Sequence, residues 1–168
     1  MNNIVLIGMP GSGKSTVGVL LAKALLMDFV DTDLVIQQRT GSALCDIIAK
    51  KGVEYFKQLE CDIICAVNCT NSVIATGGSA VYGDEAMRHL RRDSRVVYLK
   101  VPVDELSRRI DNISTRGIAM EEGVTLGDLY GERAPLYERY ADVTVDCAGM
   151  TAEQCVGSII AALGGRTE

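Results

Sequence analysis

Gly8-Met-Pro-Gly-Ser-Gly-Lys-Ser-Thr16, preceded by the apolar run Ile4 to Ile7 and followed by a helix-patterned stretch, decides the fold of this chain. A strand, a glycine loop and a helix in that order are the context in which backbone amides cradle phosphate. The spacing G-x-x-x-x-G-K-[ST] is met by Gly8, Gly13, Lys14 and Ser15. Gly11 and Gly13 admit backbone conformations closed to residues with a Cβ, so the amides around Ser12 turn inward. The helix then points its unpaired N–H groups and partial positive charge at the same phosphates. Lys14 brings a point charge to the β- and γ-phosphates and Ser15 a hydroxyl to Mg²⁺; Thr16 belongs to the helix start or makes a secondary phosphate contact. Glycine-rich turns also exist for packing alone, but the full spacing with both flanks favours a nucleotide site.

Outward from this loop, short apolar runs alternate with longer helix-period segments. Ile4 to Ile7, Phe29 to Asp31, Val73 to Thr76, Val96 to Lys100 and Val143 to Asp146 read as strands. Helices are expected after the loop, with Val17, Leu20, Leu21, Ala24 and Leu25 on one face, and over Leu34 to Arg39, Ala43 to Lys50, Glu54 to Cys69, Gly83 to Arg91, Val103 to Ile110, Leu126 to Arg139 and Ala152 to Leu163. Such alternation predicts an α/β fold: five parallel strands with helices on both faces, in one domain over residues 1–168. Asn112 to Gly123 has weak periodicity and a central Arg116, which marks residues 112–124 as a mobile lid.

With 168 residues and 48% hydrophobic content, the chain is long enough to bury one sizeable core. A net charge of −5 argues against a nucleic-acid surface, which needs concentrated Lys and Arg. No apolar run approaches the ~18 residues of a membrane span, and Met1 to Ile7 reads as a strand rather than a signal peptide. A cytoplasmic monomer without membrane partners is the expectation. Six cysteines suit a reduced compartment. Cys61, Cys65 and Cys69 recur every fourth residue on one helical stripe, yet lack the C-x-x-C or His partners of a zinc site and read as small, semi-buried hydrophobes. His89, inside Arg88-His-Leu-Arg-Arg92, reads as a solvated residue at a charged helix end.

A second constellation flanks the first. Phe29-Val-Asp-Thr-Asp33 sets two carboxylates at the carboxyl end of the second strand, the edge that faces the ligand crevice of a parallel sheet. The two are placed for different work, one near Mg²⁺ and its waters and the other near an acceptor hydroxyl whose proton must leave; Asp33 is also placed to cap the helix from Leu34. Ala75-Thr-Gly-Gly-Ser79 is a turn built for close approach, Lys57 and Glu60 are spaced to pair on one helix face, and Arg133 stands in Glu132-Arg-Ala-Pro-Leu-Tyr137.

Taken in order, Gly8 to Thr16, Phe29 to Asp33, Glu54 to Glu60, Thr76 to Ser79, Arg116 and Arg133 to Asp142 resemble the shikimate kinase family of small P-loop kinases over nearly the whole chain. The resemblance implies ATP as co-substrate, bound by Gly11 to Thr16 with Arg109 beside adenine and Arg116 closing over the transferring phosphate. It implies Mg²⁺ held by Ser15 and, through water, Asp31. Asp33 would bind the acceptor hydroxyls and act as base, Lys57, Gly77, Gly78 and Arg133 would complete the acceptor site, and Lys14, Asp33 and Arg116 would form the catalytic set. The implied reaction is transfer of the ATP γ-phosphoryl to the shikimate 3-hydroxyl, in aromatic amino acid (chorismate) biosynthesis.

Three positions depart from the family pattern, which has arginine at Lys57, glycine at Ser79 and Arg-Pro-Leu-Leu at Arg116-Gly-Ile-Ala119. Lysine lacks the planar fork that matches a carboxylate, so Lys57→Arg would lower the acceptor KM. Gly117 would loosen the lid by removing proline's restraint. Other readings of the residues are a small-metabolite kinase with a different acceptor and a noncatalytic ATP-binding module. The latter would not need the whole charge set, and a GTPase switch would need an Asn-Lys-x-Asp segment that the chain lacks.

Overall fold

β1 (Asn3–Ile7) is buried at all five residues, so both faces of the sheet that contains it are covered. The computed structural model describes residues 3–110 and 117–164; Arg116 and residues 112–116 of the expected lid lie outside the described residues. Five parallel strands form one sheet in the order β2-β3-β1-β4-β5, with β2 Asp28–Asp31, β3 Ser72–Ala75, β4 Ser94–Lys100 and β5 Val143–Asp146. In register, Val5 lies between Ile74 of β3 and Val96 of β4. The chain builds one side of β1 first and the other side afterwards. The carboxyl end of β1 is therefore a switch point, where a crevice opens for ligand.

Eight α-helices occupy the described residues: α1 Lys14–Leu25, α2 Thr32–Thr40, α3 Leu44–Lys51, α4 Val53–Cys65, α5 Asp84–Arg91, α6 Val103–Arg109, α7 Leu126–Tyr140 and α8 Ala152–Ala162. One packed group joins α1 to α8 and to β3. The other joins α4 to α5 and, through a 3₁₀ turn at Ala80–Tyr82, to α7. The main core runs through the strands, while Ile36, Leu44, Ile47, Val53, Phe56, Ile63 and Ala119 form a second, smaller core between α2, α3 and α4. That second core holds α4 and the turn after β3 at fixed places beside the crevice.

Several local expectations need correction. Asp33 does not cap α2: Asp31 does, its Oδ1 accepting from the amides of Asp33 at 3.0 Å and Leu34 at 3.4 Å, so Asp33 sits inside the first turn. α4 ends at Cys65 rather than Cys69: the amides of Ala66 and Val67 tighten to the Ile63 and Ile64 carbonyls, and beyond them the Asn3 side chain donates to the Cys69 carbonyl at 2.8 Å. Cys61, Cys65 and Cys69 nevertheless pack, half-buried, against the main core. His89 is half-buried, its Nε2 2.7 Å from the Val67 carbonyl, because α5 lies against the chain that leaves α4.

Gly117 also differs from expectation. Its φ is +63°, and a Cβ there would run into the Leu44 side chain and lie 2.9 Å from the Cys45 nitrogen. Proline, fixed near −65°, is excluded by this backbone. Gly117 lets the segment that ends in buried Ala119 lie against α3.

Candidate active site

α1 starts directly from Gly13, whose φ is +92°; no side chain caps this helix end, and its first turn contains no acidic residue. The amino terminus thus keeps the donors and partial positive charge that suit an anion. Lys14 is buried beneath the loop, its Nζ donating to the carbonyls of Gly8 and Met9, both at 2.8 Å, and to Ser12 Oγ at 3.3 Å. Burial lowers this ammonium to about 8, with the nearby Asp33 carboxylate opposing the shift. A cavity of about 610 Å³ opens over the loop and runs from Arg109 and Cys155 at one end to Glu60 and Arg133 at the other. Arg109 pairs with Glu105 and lies 3.4 Å from the Gly11 carbonyl.

At the mouth of the loop, Ser15 Oγ donates to Asp31 Oδ2 at 2.6 Å. A hydroxyl and a carboxylate side by side form an all-oxygen donor pair, which fits Mg²⁺ held chiefly through water and phosphate oxygens. No cluster of three His, Cys, Asp or Glu residues among the described residues would cage a metal by itself, consistent with a metal that arrives with nucleotide.

Asp33, one turn into α2, is half-buried on the cavity wall. Burial, and next the Asp31 charge, raise its carboxyl to about 6 against the pull of Lys14. Opposite it lies the glycine turn after β3. A Cβ on Gly77 would strike Glu60 Oε1 and stand 2.8 Å from Asp33 Oδ1; one on Gly78 would stand 2.9 Å from Arg133 Nη1. Both glycines are required for close approach, so side chains from three helices converge on this turn. The Gly77 amide is not available to a ligand, however: it donates to buried Thr32 Oγ1 at 3.2 Å. Tyr137 hydroxyl donates to the Gly78 carbonyl at 2.6 Å and fixes the second glycine.

Arg133 is 1% exposed. It occupies the inner stripe of α7 together with Leu126, Leu129, Tyr137 and Tyr140, so the helix periodicity that builds the core carries a guanidinium into the cavity wall. Its Nη2 donates to the Ala119 carbonyl at 2.7 Å and its Nε to Tyr82 hydroxyl at 3.3 Å. A charge so deeply buried with only neutral partners is poised for an anion.

The structure therefore brings Gly11 to Thr16, Asp33, Gly77, Gly78, Arg109 and Arg133 to one cavity. It does not bring Lys57 there. Lys57 donates to Glu54 at 2.9 Å and lies 4.3 Å above the Tyr82 ring, and it does not pair with Glu60. Because Lys57 does not line the cavity, Lys57→Ala should change the acceptor KM by less than about fivefold, ~1 kcal/mol, in steady-state assays. A larger rise would mean that Lys57 swings inward on binding.

Glu60 was legible only as an ion-pair partner, yet it is 1% exposed and faces the cavity. A sign lay in the helix period: it falls on the stripe Val53, Phe56, Glu60, Ile63, Ile64, where a carboxylate among apolar residues needs a reason. Thr32 and Tyr137, which hold the glycine turn, lie inside the Phe29 to Asp33 and Glu132 to Tyr137 motifs, but neither was singled out there.

A family model described as "SKI: Shikimate kinase" matches residues 10–164. The shikimate kinase of Thermodesulfovibrio yellowstonii is 37% identical over 163 residues, covering 95% of this chain and 94% of that protein. That of Caldanaerobacter subterraneus subsp. tengcongensis is 36% identical over 165 residues, with 96% of each covered. Among solved structures, shikimate kinase from Acinetobacter baumannii in complex with shikimate matches with a TM-score of 0.89 at 30% identity, covering 100% of this chain and 96% of that one.

Proposed function

The chain belongs to the shikimate kinase family, and on that premise we propose that it transfers the γ-phosphoryl of ATP to the 3-hydroxyl of shikimate, giving shikimate 3-phosphate and ADP for aromatic amino acid (chorismate) biosynthesis. One observation carries the reading: a phosphate-loop lysine, a half-buried carboxylate and a fully buried arginine meet in a single cavity. A small carboxylated alcohol matches that set.

Phosphoryl transfer asks the protein mainly for alignment and charge stabilisation. The amides of Gly11 to Thr16 and the Lys14 ammonium hold the triphosphate, which draws Lys14 away from the Gly8 and Met9 carbonyls. Ser15 and, through water, Asp31 would hold Mg²⁺, which would supply positive charge to the triphosphate. Arg133 offers Nη1 beside Gly78 and grips the acceptor carboxylate. That places the acceptor ring against the glycine turn, with its hydroxyls towards Asp33. Asp33 takes the proton of the attacking hydroxyl at its carboxylate. Arg109 flanks the adenine end, and Arg116, outside the described residues, is the residue that the family resemblance assigns to the transferring phosphate.

The enzyme in this reading is a single-domain, cytoplasmic monomer with small-molecule partners only. The charge of −5 speaks against nucleic acid, and no helix among the described residues is long and apolar enough to cross a membrane. A thermal-shift screen with a nonhydrolysable ATP analogue and Mg²⁺ tests the acceptor class. Shikimate should raise the melting temperature, and gluconate and nucleoside monophosphates should not. A response to one of the latter in place of shikimate would replace the acceptor assignment.

A further inference from the structure

Glu60 and Ser79 form a unit that no step above uses. Ser79 Oγ donates a short hydrogen bond to Glu60 Oε2 in the buried wall of the cavity. Glu60 Oε1, on the other edge of the same carboxyl, is buried without a hydrogen-bond partner among the described residues and faces the space over Gly77. No cation on its own helix answers it, since Lys57 is turned away to Glu54 and Tyr82. A buried, unpartnered carboxyl oxygen aimed into a binding cavity is costly to the free protein, and a ligand contact is a physical reason for it.

We propose that Glu60, oriented by Ser79, carries a proton in the acceptor complex and donates a hydrogen bond from Oε1 to an oxygen of the acceptor. The inference rests on the reading of the chain as a shikimate kinase. The surroundings decide the protonation state. From α2, Asp33 adds a negative charge; from α7 and α1, Arg133 and Lys14 add positive ones, and Ser79 stabilises the charged form through its hydrogen bond. Burial outweighs these and lifts the carboxyl to about 7, so in the free protein it stands near its midpoint at neutral pH. An acceptor carboxylate occupies Arg133 and brings a second anion into the same wall. Both effects push the Glu60 proton on. Ser79, at the position where the family pattern has a third glycine, is then a positioning residue: with Oε2 occupied, only Oε1 is left to face the ligand.

The consequence is proton uptake on acceptor binding above neutral pH. Shikimate's own carboxyl is already ionised there, so the proton must go to the protein. Isothermal titration of shikimate into the full chain at pH 8, in buffers of differing ionisation enthalpy, counts it. Wild type should take up close to one proton per shikimate, and its affinity should fall as pH rises through 7 to 8, approaching tenfold per pH unit at the upper end. Glu60→Gln keeps a donor at the same place without a titrating proton. It should bind shikimate with no uptake and no such fall. The variant should also fold at least as stably at pH 8. A carboxyl raised from 4.5 to about 7 adds stability that is complete below 4.5 and lost as pH rises through 7, and the amide escapes that loss.

Ser79→Ala provides the second arm. Without the hydroxyl donor the charged form of Glu60 loses support, so the pH at which affinity begins to fall should move up, a change that a merely structural role for Ser79 would not produce. Undiminished uptake by Glu60→Gln would put the proton on another group and overturn the proposal. So would loss of shikimate binding by that variant at every pH, since Glu60 would then be accepting rather than donating. If wild type fails to bind shikimate at all, the functional reading itself falls, and the inference falls with it.

Discussion

Asp33→Asn should lower the turnover of shikimate phosphorylation by about 10²- to 10⁴-fold, the usual contribution of a positioned general base, while ATP binding stays close to wild type. The side chain stands in the first turn of α2 on the cavity wall, with Oδ1 facing the Gly77 turn. Burial first, and Asp31 second, raise its carboxyl to about 6. At neutral pH it is thus ionised but far more basic than an ordinary aspartate. An amide of the same shape cannot take the hydroxyl proton. In wild type, kcat/KM should fall as pH drops below about 6, where the base becomes protonated, and this limb should vanish from the residual activity of the variant. Loss of folding would not explain the defect. A raised carboxyl contributes stability that is full below 3.8 and gone above about 6, so at pH 7 the asparagine carries no penalty that the aspartate avoids. Wild-type-like turnover, with or without the pH limb, would remove Asp33 from the chemistry.

Arg133→Leu should raise the KM for shikimate by about 30- to 1000-fold, the equivalent of ~2–4 kcal/mol for loss of one partner of a buried charged pair. Leucine suits the apolar stripe of α7 and leaves no unpaired charge. The Ala119 carbonyl and Tyr82 hydroxyl lose a donor, although Tyr82 retains its bond to Glu132. Arg133→Lys separates charge from geometry: it keeps the cation but loses the fork, and should fall between wild type and the leucine variant. The KM for ATP should move little in both. If Arg133→Leu leaves the shikimate KM unchanged, the acceptor carboxylate lies elsewhere.

The fold was legible because it depends on periodicity. Each of the five strands was marked by a short apolar run, whereas the order that sets β1 between β3 and β4 depends on contacts between distant segments. Helix positions were read nearly as they stand, with errors confined to ends, where local contacts decide: Asp31 rather than Asp33 caps α2, and α4 tightens and stops at Cys65. Lys14 and Ser15 were marked by the spacing of the phosphate loop, Asp33 and Arg133 by the family resemblance, and the structure brings all four to one cavity. What stayed hidden arises from contacts between distant segments. Lys57 and Glu60 share a helix and look like a pair, yet one turns out to Tyr82 and the other in to Ser79, partners from a turn that follows β3. Gly117 was read only as the loss of proline's restraint, while its left-handed backbone against α3, which a proline could not adopt, shows only in the fold.

The most direct measurement is steady-state ADP release by the purified chain with ATP, Mg²⁺ and shikimate at pH 7.5. ADP should form in step with shikimate 3-phosphate, saturably in shikimate, and only at background rate without it. ADP release no faster with millimolar shikimate than without it, from protein shown to bind ATP, would contradict the assignment.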